Sequence, residues 1–332
     1  MPLLIEHRIA KDGGREPTGG ERRQADHRWL PALDIGLVNN MPDSALRATE
    51  RQFIALLSAA TGDRIVRLHL FSLPGVARGT AARAHIDAAY ADMASLKTGR
   101  LDALIVTGAE PIAPSLPEEP YWGDLTALAD WAETHTVSTV WSCLAAHAAV
   151  LHFDGIGRRR FARKCFGLFG CDKVEDDPLV DGIDTAVRVP HSRWNDLGED
   201  ELRAHGYRIL TRSADVGVDL FTKQWGSLFV FFQGHPEYAA DTLFREYRRD
   251  MTRYLRGERS TVPELPTGYF DPRTERILGR IAERADRNRA ADAQARMPED
   301  WALRQASIEA WQSAAVAVYR NWLDRVAALK AQ

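Results

Sequence analysis

An α/β fold built on a parallel sheet is predicted by three features of the sequence. Apolar-rich runs of strand length alternate with amphipathic stretches of helix length, small and turn-forming residues mark the changeovers, and the strand-like runs are mostly apolar, as in strands buried on both faces. Leu33–Val38 opens the pattern and stops at Asn39-Asn40-Met41-Pro42. Residues 45–59 place Leu46, Phe53, Ile54 and Leu57 at helical spacing, and Gly62-Asp63 leads into a strand over 65–70, which completes a βαβ unit. A helix over 84–96, a strand over 101–106, a helix over 125–133 and a strand over 137–141 repeat the rhythm. An Ala-rich helix follows over 144–151. Strand-like runs over 216–223 and 227–232, parted by Gln224-Trp225-Gly226, predict an antiparallel hairpin at the sheet edge, and Thr242–Leu255 predicts a helix. After Gly257 four breakers, Pro263, Pro266, Gly268 and Pro272, precede two helical segments. The first, 274–295, is highly charged and reads as a solvated appendage. The second, 301–329, presents Trp301, Ile308, Trp311, Val318 and Trp322 and is expected to pack on the main body.

With 332 residues, 45% apolar and 27% charged, the chain has ample material for one large domain with an appendage. The expected organisation is a loose leader over 1–32, a main domain over 33–256 and a C-terminal helical extension over 257–332. A net charge of -3 lacks the basic field that phosphate backbones require, so nucleic acid is not expected as a partner. Three cysteines, at 143, 165 and 171, form no disulfide framework and suit a reducing compartment. Apolar runs such as Leu228–Phe232 are too short to cross a bilayer, and the first thirty residues carry no apolar signal core. A cytoplasmic location is therefore expected.

Cys143 lies at a strand-to-helix turn, where backbone amides and the positive end of the helix dipole favour a thiolate and stabilise an oxyanion. Position alone leaves it evenly divided between a nucleophile and a small buried apolar residue. His235, in Gly234-His235-Pro236-Glu237-Tyr238, closely follows an apolar strand, and Glu237 is near enough to set its tautomer. A loop histidine beside a solvated glutamate is the other reading, but a Cys and a His at separate strand ends converge on one sheet edge. The small residues of Thr107-Gly108-Ala109 let an amide of Gly108 or Ala109 join the Leu144 amide as an oxyanion donor, with a plain turn as the alternative. Arg249, one turn beyond Arg245 on its helix, suits a carboxylate clamp or a solvated face, and spacing does not separate the two.

Asn40-Met41-Pro42, Val106-Thr107-Gly108-Ala109, Tyr121-Trp122, Phe166-Gly167, Pro190-His191-Ser192-Arg193, Gly234 to Tyr238, Arg249-Asp250 and Asn321-Trp322-Leu323 together carry a family resemblance. From about Leu33 to its C-terminal helix the chain resembles the homoserine O-acyltransferases of methionine biosynthesis, of the transsuccinylase type, which have a class I glutamine amidotransferase-like fold. The resemblance implies a three-layer sandwich, no bound cofactor or metal, and acyl-CoA as co-substrate. It also implies a homodimer and a ping-pong reaction, with the acyl group on Cys143, His235 as base and Glu237 orienting it. Lys164 and Ser192 fall at substrate-contacting positions, and Arg249 at the group that holds the amino-acid carboxylate. Ala109 and Leu144 belong to the oxyanion and acyl pocket, as does Ile112. Ile112 stands where Glu accompanies acetyl and Gly succinyl transfer, and its lack of charge tips the expectation toward succinyl. Three stretches depart from the family pattern: Ser142-Cys143-Leu144-Ala145 lacks the usual Trp-Gly after the cysteine, His147 replaces a Gln, and residues 43–50 follow a different spacing.

Serine is the competing acceptor. A glutamine amidotransferase is the competing enzyme class, although glycines around the nucleophile are missing. A binding module that has lost catalysis is the non-enzymatic alternative, opposed by the joint presence of Cys143, Lys164, Ser192, His235, Glu237 and Arg249.

Overall fold

The structure is a computed structural model that describes residues 3–6, 32–97, 99–287 and 308–331. In chain order the elements are β1 (Leu3–Glu6), β2 (Leu33–Val38), α1 (Asp43–Ala60), β3 (Val66–Phe71), α2 (Thr80–Ala89), β4 (Ala103–Val106), α3 (Trp122–His135), β5 (Ser138–Ser142) and α4 (Leu144–Asp154). They continue with β6 (Arg159–Lys173), β7 (Ala186–Asp196), α5 (Glu199–Ala204), β8 (Arg208–Ser213), β9 (Gly217–Gln224), β10 (Leu228–Phe232), α6 (Thr242–Leu255), α7 (Pro272–Arg287) and α8 (Ile308–Lys330).

These strands form one sheet in the order β1-β3-β2-β4-β5-β10-β9-β8-β6-β7. The first six in that order pair in parallel and the remainder antiparallel. Successive side chains of a strand enter opposite layers. Leu33, Ile35 and Leu37 pack with Phe53 and Leu57 of α1 and Trp322 of α8, whereas Val38, Leu104 and Trp141 pack with α3 and α4. The three-layer α/β class read from the sequence is thus borne out, and a third cluster beside it joins α6 to α7.

Several sequence expectations are corrected. The hairpin β9–β10 lies inside the sheet rather than at its edge, because β10 pairs with β5 on one side and β9 with β8 on the other. The helix expected over 84–96 runs instead from Thr80 to Ala89: Tyr90 turns to extended backbone and the Ala91 amide donates to Leu70 O at 2.7 Å, so tertiary pairing overrides local periodicity. Within the expected leader, Leu3–Glu6 is an edge strand parallel to β3, with Leu3 packed on the core. The charged helix α7 is no solvated appendage. Its few apolar residues, Leu278, Ile281, Ala282 and Ala285, fall at the spacing of one helix face and pack against Tyr247, Met251 and Tyr254. Its expected continuation to 295, together with Trp301, lies outside the described residues. β6, β7, β8 and α5 had no counterpart in the sequence reading.

Candidate active site

The carboxyl ends of β2, β4, β5 and β10 meet beneath one cavity of about 570 Å³. The order β3-β2-β4 puts the topological switch beside β2, the position where open α/β sheets leave a crevice. Asn40 clips this edge together. Its backbone amide donates to Thr107 Oγ1 at 2.8 Å, its Nδ2 to Thr107 O at 3.3 Å, and its Oδ1 accepts the Leu73 amide at 3.1 Å. The buried Arg78 guanidinium donates to Asn39 O at 3.1 Å and Met41 O at 2.5 Å, which fixes Met41-Pro42 as a cavity wall.

At the end of β5, Cys143 has φ 52° and ψ −113°, the one non-glycine positive φ among the described residues. Such a backbone costs about 1–3 kcal/mol and persists only where its surroundings hold it. Here the Cys143 amide donates to Phe232 O at 2.7 Å and the His147 amide returns to Cys143 O at 3.2 Å. The elbow thus forms without glycine neighbours, held by hydrogen bonds. It aims the thiol at the N-terminus of α4, whose first amides have no partner within the helix. Gly108 completes the arrangement: a Cβ there would lie 3.1 Å from Leu144 N, so the bare backbone lets the end of β4 approach the elbow without crowding it.

His235 enters from the end of β10. Gly234 must be glycine, since a Cβ would stand 2.6 Å from both Asp219 Oδ1 and Val189 Cγ1. The His235 amide donates to Pro190 O at 2.8 Å and its ring stacks on Tyr238 with centroids 4.3 Å apart. Nδ1 lies 2.9 Å from Glu237 Oε1, which leaves the other ring nitrogen free to serve Cys143, whose sulfur lines the same cavity. Burial opposes charge on His235, but the Glu237 carboxylate and the Cys143 sulfur together hold its pKa well above the ordinary imidazole value. Glu237 Oε2 is buried and accepts no hydrogen bond from the described residues, so its charge is directed at the imidazole.

Behind this pair lies a buried network. His147, its pKa pushed down to about 3 by burial, is 2.8 Å from Gln233 Oε1 and so ties the elbow helix to the end of β10. Cys171, His191 and Asp219 cluster closely enough to suggest metal ligands. Their bonding argues for a strut. Arg193 Nε donates to His191 Nδ1 at 3.2 Å, while Asp219 already accepts from Thr211 Oγ1 at 2.9 Å and from the Gly234 amide at 3.1 Å. A buried guanidinium beside the cluster opposes a further cation.

All nine residues singled out from the sequence line the cavity: Cys143, His235, Glu237, Lys164, Ser192, Arg249, Ala109, Ile112 and Leu144. Ile112 stands 72% exposed at its mouth, on a loop whose Ile112 and Ala113 amides donate to Glu119 Oε1 at 2.9 and 3.0 Å. The sequence reading missed Glu246. Its Oε2 accepts from Ser192 Oγ at 2.6 Å and lies 3.4 Å from Lys164 Nζ, and its Oε1 accepts from Tyr238 Oη at 2.6 Å. Burial would raise its pKa, but Lys164, Ser192 and Tyr238 outweigh that and keep it below the usual glutamate value. The available signal was spacing, because Glu246, Arg249 and Arg253 repeat at one helix face and all reach the cavity.

The homoserine O-succinyltransferase family model matches residues 18–331. The chain belongs to that family. A homoserine O-succinyltransferase of Rhodopseudomonas palustris is 54% identical over 295 residues, covering 89% of this chain and 88% of that one. One from Bradyrhizobium japonicum is 49% identical and covers 98% and 99%, and one from Thioalkalivibrio nitratireducens is 37% identical with 98% and 93% covered. Among solved structures, a glutamine amido transferase from Methylobacillus flagellatus superposes with a TM-score of 0.50 at 15% identity, covering 90% of this chain and 95% of that one, a likeness of fold.

Proposed function

We propose that this chain transfers the succinyl group of succinyl-CoA to the hydroxyl of L-homoserine through a thioester on Cys143, as a step in methionine biosynthesis. The observation that carries the mechanism is Cys143 at a strained elbow in one cavity with the bonded pair His235–Glu237, a cavity that also holds Lys164, Ser192, Glu246 and Arg249.

In the first half-reaction Cys143 Sγ forms a bond to the acyl carbon, the bond from that carbon to the CoA sulfur breaks, and the imidazolium of His235 supplies the proton to departing CoA. The amides of Leu144 and Ala109 receive the negative charge that develops on the carbonyl oxygen. In the second, the homoserine oxygen attacks the thioester carbon, His235 takes the hydroxyl proton, and Cys143 leaves as thiolate. Arg249 holds the acceptor carboxylate, while Ser192 and Lys164, gathered by Glu246, contact its polar groups. Ile112 supports succinyl as donor, because it places neither an anion nor a buried plug against a charged acyl chain. No helix among the described residues is long and apolar enough to cross a membrane. A cytoplasmic homodimer without bound cofactor, organised as a main domain over 33–256 and a helical extension over 257–332, completes the reading.

The test is CoA release with succinyl-CoA or acetyl-CoA, and with homoserine or serine as acceptor. Turnover should be fastest with succinyl-CoA and homoserine. Glutamine hydrolysis with ammonia release, and no acyl transfer, would move the chain to the amidotransferase class.

A further inference from the structure

The acyltransferase reading leaves one requirement unmet: a succinyl group carries a second carboxylate, and the groups assigned so far serve the reacting carbonyl and the acceptor. We propose that Arg158 is the reader of that carboxylate and thereby sets the preference for a dicarboxylate-derived acyl group. The inference rests on the acyltransferase reading and extends it to donor selection.

Most other cations of the cavity are already committed. Lys164 and Arg249 are assigned to the acceptor, Arg253 lies one turn beyond Arg249 on α6, and Arg259 pairs with Asp250 at 3.4 Å. Arg193 is buried and donates to Asn195 O, Asp196 and Val216 O, which leaves it structural. Arg160 lies over the Trp194 ring, 4.9 Å from its centroid. Arg158 sits between α4 and β6, half-buried in the cavity wall, and no carboxylate among the described residues lies within ion-pair distance of it.

Arg249 lies among the carboxylates Asp250, Glu246 and Glu110. Arg158 interacts with Tyr121, Glu119 and the Cys143 sulfur. Glu119 does not neutralise it fully, because its Oε1 is occupied by the Ile112 and Ala113 amides. The free carboxylate of a succinyl thioester is four bonds beyond the sulfur, roughly 5–6 Å when extended. A half-buried guanidinium in the wall of the cavity that holds Cys143, with no carboxylate among the described residues paired to it, is therefore the cation suited to bind it, bidentately and with less water competition than at the surface.

The experiment measures acyl-adduct formation on Cys143 by intact-protein mass spectrometry, without acceptor. Succinyl-CoA is compared with butyryl-CoA, which has equal length and no terminal charge. The readout is the ratio of the two rates in wild type, Arg158→Ala, Arg158→Gln and Arg158→Lys, with thermal unfolding of each to establish folding. The succinyl-to-butyryl ratio should fall about ten- to a hundredfold in the Ala and Gln variants, the range expected for losing a charge-assisted hydrogen bond, and Lys should restore part of it. Gln keeps the test valid if Ala does not fold. A ratio within about twofold of wild type in the neutral variants, whether both rates fall together or neither falls, would overturn the inference and assign Arg158 to CoA binding or the fold. No adduct on wild type from either donor would overturn the acyltransferase reading itself, and this inference with it.

Discussion

The parallel and antiparallel parts of the sheet contribute different things to the cavity. Strands β2, β4, β5 and β10, all parallel, end in the proposed nucleophile, the candidate oxyanion amides, and the histidine with its glutamate. The antiparallel pair β6–β7 supplies Lys164 and Ser192, and α6, which follows β10, supplies Glu246 and Arg249. In the proposed mechanism, reaction chemistry comes from strand ends whose backbones are locked by neighbouring strands, and recognition from strand and helix faces whose side chains line the cavity. The difference suggests a division that mutation can test, since damage to the first group should stop both half-reactions and damage to the second should fall on one.

The largest effect is expected for Cys143→Ala. It should abolish turnover and the acyl adduct while the fold survives, because a small side chain fills the space. Intact mass with succinyl-CoA and no acceptor measures this, and an adduct persisting in the variant would remove Cys143 from the reaction. Next is His235→Asn, which should lose several orders of magnitude in both half-reactions. General base catalysis alone contributes about 10²- to 10⁴-fold, and this imidazole also serves the sulfur.

Arg249→Ala should separate the two groups. In the proposed mechanism the acceptor enters only after acylation, so the Michaelis constant for homoserine should rise and acceptor efficiency fall about ten- to more than a hundredfold, while acylation of Cys143 stays near wild type. Lys should recover part, since a point charge cannot reproduce the planar fork. Rapid-quench mass spectrometry of acylation beside a homoserine titration reads both terms. Equal damage to the two would break the proposed division.

The same contrast explains what could be read from the sequence. Parallel strands buried on both faces are dominated by apolar residues, so Leu33–Val38 and Leu228–Phe232 announce themselves, and the ends of β5 and β10 mark Cys143 and His235 by position. β6 shows the opposite. Its first half, from Arg159 to Lys164, is largely exposed or faces the cavity and carries four cationic side chains, and Gly167 and Gly170 interrupt the remainder, so neither an apolar run nor a clean alternation marks it. Glu246 escaped because a charged residue on a charged helix looks solvated until Ser192 and Tyr238 arrive from distant parts of the chain. The α7 stripe escaped for a related reason, as its charge content hid four correctly spaced apolar positions. Arg249, ambiguous from spacing alone, reaches the cavity only because α6 turns that face inward.

The smallest effect is expected for Glu237→Gln, which probes how the strand-end group is tuned rather than whether it is present. Gln keeps an oxygen for the 2.9 Å contact with Nδ1 but removes the charge. A neutral acceptor provides roughly half the bond strength of an ionised one, so the rate at the optimum should fall about five- to tenfold, far less than for His235→Asn. The pH behaviour should change more distinctly. Glu237 is the largest of the contributions that raise the His235 pKa against the effect of burial, so without it the imidazole should titrate at lower pH. The linked stability follows. A histidine with a raised folded pKa stabilises the fold fully below its unfolded value near 6.5, and that contribution is lost as pH rises through the folded value. Wild type should therefore lose thermal stability on the alkaline side of neutrality more steeply than Glu237→Gln, with the two differing most in mild acid. Unfolding midpoints across pH 5.5 to 9, beside an NMR titration of the His235 ring, measure both consequences; an unchanged His235 titration would mean that the Cys143 sulfur alone holds the proton there and that Glu237 only orients the ring.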